Sequence, residues 1–461
     1  MRKEYCGLIG IYGHPEAARM AYFGLYALQH RGQESAGIIT WDGERLREQR
    51  GMGLVADVFS ERHLGHELKG KVAMGHIRYS TTGASLLRNA QPFLVRFRDL
   101  HMAIGHNGNL VNTYQLRKEL EDQGSLFQTS MDSEVFMHLV AKNLNGNSLE
   151  EAIACACRRV QGAYSLLIQA NSKLIAVRDP WGFRPLVLGR AGGTTVLASE
   201  TCALDLLEAE YLREVRPGEM VVIEGGRLSS MQAVESRRTA PCIFELIYFA
   251  RPDSVVFGQT VYTCRKNMGR VLAEESPVEA DFSMPFPDSG VYAAVGYAQA
   301  SGLPFENAMI RNHYVGRTFI QPSQDMRDFG VRVKLNPVKE MIKGKRIVII
   351  EDSIVRGTTI RTRIKKLREM GAKELHLRVS CPPICHPCYY GIDFSSKGEL
   401  IAANHTVSDI AKYIGLDSLH FLSEEGLLRA VGGDQNYCLA CFQGSYPVLP
   451  GENYGKMRFD S

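Results

Sequence analysis

Three groups of residues in this chain have the types and spacing to do chemistry. A thiol stands at Cys6, behind "MRKEY" and ahead of the apolar, glycine-spaced run "GLIGIYG". Two acids, Glu351 and Asp352, close the all-apolar stretch "RIVII", and "SIVRGTT" (353–359) follows them into a helical pattern. A loop of glycine and hydroxyl residues at a helix N-terminus presents backbone N–H groups to an anion. Acids beside such a cradle either bind sugar hydroxyls and a divalent cation or cap the helix. Eleven cysteines are unevenly placed: Cys381, Cys385 and Cys388 lie together, as do Cys438 and Cys441 in "NYCLACF". Such groups read as metal or redox chemistry: a redox pair, half of a zinc site, or an iron–sulfur site, which takes four thiolates.

The elements that must hold these groups are legible as two patterns. Residues 6 to about 230 alternate short strands such as "SAGIIT", "KVAMGHIRYS", "SLLIQA" and "EMVVIEGG" with helical stretches such as "DSEVFMHLVAKNL" and "EEAIACACRRVQ". This is a strand-rich α/β layered domain. The polar stretch "SMQAVESRRTAP" (230–241) reads as a linker, with the domain boundary between 235 and 236. Beyond it, "KRIVIIEDSIVRGTTIRTRIKKLREMGAKELHLRVS" is a buried strand, a loop, an amphipathic helix ending at Gly371 and a second strand, one βαβ unit of a mostly parallel sheet.

Length supports this division, since 461 residues exceed the size at which a single core stops growing. A net charge of +4 gives no case for nucleic acid, and no stretch approaches a membrane span. With no signal-like apolar run at the start, the expected location is the cytoplasm. Cys155, Cys157 and Cys202 fall in apolar helix-like surroundings and read as packed core thiols.

The stretch around Glu351 and Asp352 resembles the phosphoribosyl-diphosphate-binding signature of type I phosphoribosyltransferases. The resemblance implies that the acids hold the ribose 2- and 3-hydroxyls while Ser353, Arg356, Gly357, Thr358 and Thr359 bind the 5-phosphate. Most close relatives have Asp at the first acidic position, where this chain has Glu351, a conservative departure. "PDSG" (287–290), "YVGRTFIQPSQDMR" (314–327) and "VKLNP" (333–337) resemble the metal-side turn and pyrophosphate loop of one branch, the amidophosphoribosyltransferases. This implies one Mg2+ per subunit at Ser289, Glu351 and Asp352, with Arg317 and Lys334 placed to pair with phosphates. Loss of pyrophosphate leaves oxocarbenium-like charge on the sugar and negative charge on the leaving group, which a metal and fixed cations stabilise.

The same branch accounts for the first half. "CGLIGIYGH", "LQHRGQESAG", "GHIRYSTTG", "GHNGNL" and "MDSEV" resemble, in order, the class II glutamine amidotransferase domain with an N-terminal nucleophile. "RDPWGFRPL" and "FELIYFARPDS" extend the match across nearly the whole chain. The fold implied is an N-terminal-nucleophile αββα sandwich glutaminase domain (6–235) followed by a type I phosphoribosyltransferase domain (236–461), both α/β. Hydrolysing a carboxamide needs a nucleophile, a base and donors for the tetrahedral oxyanion. An α-amino group titrates at about 7.7 to 8.0, close enough to a thiol at about 8.5 to exchange its proton, provided the cysteine is the first residue. Met1 to Tyr5 then read as a propeptide, removed by self-cleavage to free Cys6. The resemblance carries the oxyanion hole onto the Asn107 side chain and the Gly108 N–H, the substrate carboxylate onto Arg78 and the α-amino group onto Asp132. Without it, Asn-Gly reads as a turn and Asp132 as a helix cap. His30, His76 and His106 are structural on this reading, because the terminal amine is the base.

Within the amidophosphoribosyltransferases, one group carries a [4Fe-4S] cluster, and the resemblance places its ligands at Cys242, Cys388, Cys438 and Cys441, one cluster per subunit. It would staple the C-terminal segment to the domain junction and make the enzyme oxygen-sensitive. Cys381 and Cys385 are extra thiols beside the set. The family also implies glutamine and phosphoribosyl diphosphate as substrates, an ammonia channel, feedback inhibition by purine nucleotides and a homotetramer. A binding protein that has lost catalysis is the alternative from another class, and the joint presence of Cys6, Arg78, Asn107, Asp132 and the acidic pair argues against it. A glutaminase serving another acceptor would lack the phosphoribosyl loop.

Overall fold

Alternation along Gly7–Tyr12 sets the first domain: Leu8 enters one core, while Ile9 and Ile11 enter another on the opposite face. The computed structural model describes residues 6–79, 85–312, 335–394, 396–433 and 436–451. Among these, Gly7–Tyr12 pairs antiparallel with Val72–Arg78 and Thr194–Ala198 inside a seven-stranded sheet. A second, six-stranded antiparallel sheet is built on Leu100–Leu110, Gly162–Ala170, Lys173–Arg178 and Glu219–Glu224. The facing sides meet through Leu8, Met74, Ala103, Leu167, Leu197 and Val221. Helix Ala17–Ala27 covers the outer face of the first sheet, and helices Thr113–Asp122, Asp132–Asn143 and Leu149–Arg159 cover the second. The result is the αββα sandwich.

The second domain is organised on four parallel strands in the order Phe282–Pro285, Arg346–Glu351, Glu374–Val379, Ser418–Phe421. Arg346–Glu351 is buried along nearly its whole length, as an internal parallel strand must be. Helices Val261–Glu275 and Val291–Ser301 pack backbone to backbone: a Cβ on Gly269 would lie 1.8 Å from the Ala293 carbonyl, and one on Gly296 1.8 Å from that of Lys266.

Two details differ from the sequence reading. The stretch 230–241 begins as the end of the exposed strand Arg227–Gln232, so the irregular connection starts only at Ala233. Cys157 and Cys202 are packed in the core, but Cys155 is half-buried on the surface, with Arg158 Nη2 donating to its sulfur at 3.0 Å. At 100° per residue, positions 155 and 157 stand on opposite faces of Leu149–Arg159.

Candidate active sites

Cys6 leads into Gly7–Tyr12, and antiparallel pairing of Gly7 with Ile77 brings it beside Arg78 at the end of the neighbouring strand. Its Sγ donates to the Tyr79 carbonyl at 3.7 Å, and burial pushes the thiol up to about 11. Arg78, Glu34 and Asp132 all act electrostatically on that thiol, so the structure gathers them around it. At neutral pH the thiol is protonated and requires a base to attack. Arg78 donates Nη1 to Glu34 Oε1 at 2.9 Å, with both side chains largely buried.

Asn107 and Gly108 lie inside strand Leu100–Leu110 rather than in a turn, which corrects the simpler reading of Asn-Gly. Gly108 has φ +148°, and a Cβ there would meet the Ala163 carbonyl at 2.1 Å, so the close strand pairing admits only glycine. The Asn107 amide is fully buried, and among the described residues neither its nitrogen nor its oxygen has a hydrogen-bond partner. A buried amide left unmatched costs about 1–3 kcal/mol unless a ligand completes it.

Asp132 is the first residue of helix Asp132–Asn143, whose N-cap is Met131 with no side-chain cap, so it is not the capping residue. Instead Oδ2 accepts from the Leu110 N–H at 3.0 Å and Oδ1 lies 3.1 Å from His106 Nδ1. Burial alone would raise this carboxyl, but His106 outweighs it and holds it below the usual carboxylate range. Burial likewise opposes the charged form of His106, and Asp132 outweighs that effect and raises it. His76 Nε2 bridges the two sheets to the His106 carbonyl at 3.0 Å, and burial drops it to about 3. His30 Nε2 meets Glu200 at 2.8 Å. His76 thus bonds a backbone carbonyl, while His106 faces the candidate substrate-binding Asp132 as well as the Ala163 carbonyl.

Glu351 ends its strand at the carboxyl edge of the parallel sheet, where such sheets bind ligands. Parallel pairing with Phe282–Pro285 brings the turn "PDSG" alongside, and Gly290 is needed there because a Cβ would lie 2.3 Å from the Ile350 carbonyl. Helix Thr358–Glu369 starts after Gly357, at φ +73°, and has no side-chain cap, so the acids are not serving as its cap. Its first N–H groups lack intrahelical partners by construction. Ser289, Glu351, Asp352, Ser353, Arg356 and Gly357–Thr359 all line one cavity of about 470 Å³. Asp352 accepts from the Ser353 hydroxyl at 2.6 Å, and Arg356 pairs with Glu399 at 2.8 Å.

The cavity has further walls that the sequence reading missed. Arg251, Arg311 and Arg363 add cations, and His30 reaches in from the first domain beside Tyr248, Phe249 and Ala250. The stretch "FELIYFARPDS" supplies most of that wall, and its unbroken apolar and aromatic run before Arg251 was the available signal. Arg317, Lys334 and Met1 to Tyr5 lie outside the described residues.

Cys242, Cys388, Cys438 and Cys441 are all buried; burial raises the thiols of Cys242, Cys438 and Cys441, and neighbouring cysteines of the set raise them further. Cys242 and Cys438 form an isolated parallel bridge, and the Cys441 carbonyl accepts from the N–H groups of Cys385 and His386 at 3.0 Å each. The Tyr390 N–H donates to Cys388 Sγ at 3.4 Å. Cys385 turns its thiol to the Ala402 carbonyl, whereas Cys381 acts electrostatically on Cys441. No disulfide joins any of the eleven cysteines. Among the described residues no three His, Cys, Asp or Glu side chains converge on a position for a single metal ion.

With two such sites in one chain, the full-length comparisons are decisive. The amidophosphoribosyltransferase of Archaeoglobus fulgidus is 50% identical, covering 97% of this chain and 99% of that protein. This chain belongs to the amidophosphoribosyltransferase family. A glutamine amidotransferase domain family matches residues 76–206. The chloroplastic family member of Glycine max is 53% identical over 98% of this chain and 79% of its own length. Among solved structures, the glutamine phosphoribosylpyrophosphate amidotransferase of B. subtilis complexed with ADP and GMP superposes with a TM-score of 0.91 at 48% identity, covering 97% of this chain and 98% of that one. The two-domain α/β architecture is thus that of an amidophosphoribosyltransferase. No helix among the described residues is long and apolar enough to cross a membrane.

Proposed function

We propose that this member of the family performs the first step of purine biosynthesis in two coupled half-reactions. In the first domain the Cys6 thiol gives its proton to a base, its sulfur attacks the glutamine carboxamide carbon, and ammonia leaves. Water then cleaves the thioester to glutamate. Asn107 and the Gly108 N–H receive the oxyanion, while Arg78 and Asp132 grip the α-carboxylate and α-ammonium groups. In the second domain, the nitrogen lone pair of ammonia forms the bond to the anomeric carbon of phosphoribosyl diphosphate as the bond to diphosphate breaks, giving 5-phosphoribosylamine. Glu351 and Asp352 hold the ribose hydroxyls, and Ser353, Arg356, Gly357, Thr358 and Thr359 hold the 5-phosphate. Arg317 and Lys334 remain the candidates for pairing with the diphosphate.

The observation that carries this reading is the unmatched, fully buried amide of Asn107 in a domain whose strand pairing also brings Cys6 and Arg78 together. His30 on the wall of the phosphoribosyl cavity favours direct passage of ammonia between the sites. Mg2+ fits this cavity through Ser289, Glu351 and Asp352, since that ion is held by one or two carboxylates plus substrate phosphates and would stabilise charge on the leaving group. Four buried thiols, three of which act electrostatically on the fourth, Cys441, suit a [4Fe-4S] cluster, which Cys242, Cys388, Cys438 and Cys441 would hold as a structural staple. The reading extends to removal of Met1 to Tyr5, a domain boundary near 235, feedback inhibition by purine nucleotides, a homotetramer and a cytoplasmic location. Turnover of amide-15N glutamine in excess unlabelled ammonium tests the coupling. Retention of label in phosphoribosylamine is expected, and dilution to the bulk ratio would refute direct transfer.

A further inference from the structure

The Cys6 carbonyl is held by a buried arginine whose own partner comes from the other domain. Arg31 donates Nε to the Cys6 carbonyl at 3.1 Å and grips Glu245 with both terminal nitrogens, at 3.0 and 2.8 Å. Its Nη1 also bonds Glu200. Arg184 donates Nη1 to the same Glu245 at 3.3 Å and Nη2 to the Tyr390 carbonyl at 2.6 Å. All four charged side chains have no exposed surface. Arg31, Arg184 and Glu200 precede the expected boundary near 235, whereas Glu245 opens the turn Glu245–Phe249 beyond it.

A guanidinium with two donors fixed bidentately on a carboxylate has its third donor aimed by that geometry. We infer that Glu245 is a positioning residue for the glutaminase reaction: reaching across the domain junction, it locks Arg31, which in turn fixes the Cys6 backbone. The Cys6 carbonyl, α-nitrogen and thiol share one Cα, so a tilt of the carbonyl displaces both the nucleophile and its base relative to Asn107. The glutaminase site is therefore incomplete without the chain beyond residue 236. This rests on the proposed role of Cys6.

The test uses full-length Glu245→Gln, which keeps the shape but turns an amide toward two guanidinium donors. Misplacement of reacting atoms by about 1 Å costs on the order of a hundredfold. Glutamine-dependent kcat should fall by roughly that factor with KM changed less than about threefold, and Cys6 alkylation by an electrophilic diazoketone analogue of glutamine should slow in parallel. Synthesis from ammonium chloride should stay within about twofold, reporting a folded second domain. Should E245Q fail to fold, Arg31→Lys, which loses the Nε donor, must show the same split, and Glu245→Asp must recover part of the activity. Unchanged glutamine turnover, or equal loss with both nitrogen sources, overturns the inference. Glutamine use persisting in Cys6→Ala would instead defeat the reading on which it rests.

Discussion

His106 Nδ1 lies 3.1 Å from Asp132 Oδ1, and the other nitrogen of the ring faces the Ala163 carbonyl at 3.2 Å. With both ring nitrogens turned to oxygen acceptors, the imidazole orients the carboxylate proposed to meet the substrate ammonium group. Replacing His106 by Gln should therefore raise KM for glutamine about tenfold, equivalent to roughly 1.4 kcal/mol, with kcat changed only a few-fold. Steady-state kinetics with glutamine varied give the answer, and an unchanged KM would mean that Asp132 does not depend on this partner.

The acidic pair belongs to the synthetic half, so its removal should not discriminate between nitrogen sources. Asp352→Asn, alone or with Glu351→Gln, should raise KM for phosphoribosyl diphosphate at least tenfold, by loss of charged hydrogen bonds worth roughly 1.5–3 kcal/mol each. The loss should be equal with glutamine and with ammonium. A variant impaired with glutamine alone would place these acids outside the phosphoribosyl site.

Much of this was legible in the sequence because its signals are local. The apolar run ending in Glu351 and Asp352, followed by glycine and threonines, specifies a buried strand feeding a helix N-terminus. Period-two alternation likewise gave the strands of the sandwich, though not the arrangement of the two sheets. The partners of Asp132 were not legible, because His106 is brought to it only by the packing of Asp132–Asn143 against Leu100–Leu110. The role of Glu245 is not legible either, since its pairing with Arg31 spans 214 positions and leaves no periodic trace. Cys155 was misplaced because composition cannot say which face of a helix is covered.

Stability should carry an acid signature of Glu200. Burial favours its neutral form, but His30 and Arg31 outweigh that and hold it well below the usual glutamate range. A carboxyl lowered in the folded state contributes stability that is present above its unfolded value, about 4.5, and is lost as pH falls through the folded value. Glu200→Gln should flatten that acid limb and cost about 3–5 kcal/mol at neutral pH by leaving Arg31 partly unmatched. Urea unfolding between about pH 2 and 7 measures both, and an unchanged pH slope below about pH 4.5 would contradict the pairing.

The cysteine set makes a compositional prediction. Protein purified without oxygen should be brown and contain about four iron and four sulfide per chain, and Cys441→Ser should lose both. Stoichiometric zinc without sulfide would refute the cluster.

The proposed role of Cys6 is to release ammonia from glutamine for a second site with its own chemistry. Comparing glutamine-dependent and ammonia-dependent phosphoribosylamine synthesis in Cys6→Ala tests it most directly. Glutamine-dependent synthesis should fall by about a thousandfold or more, with ammonia-dependent synthesis within about twofold of the parent. Glutamine-dependent synthesis at the parental rate in Cys6→Ala would contradict it.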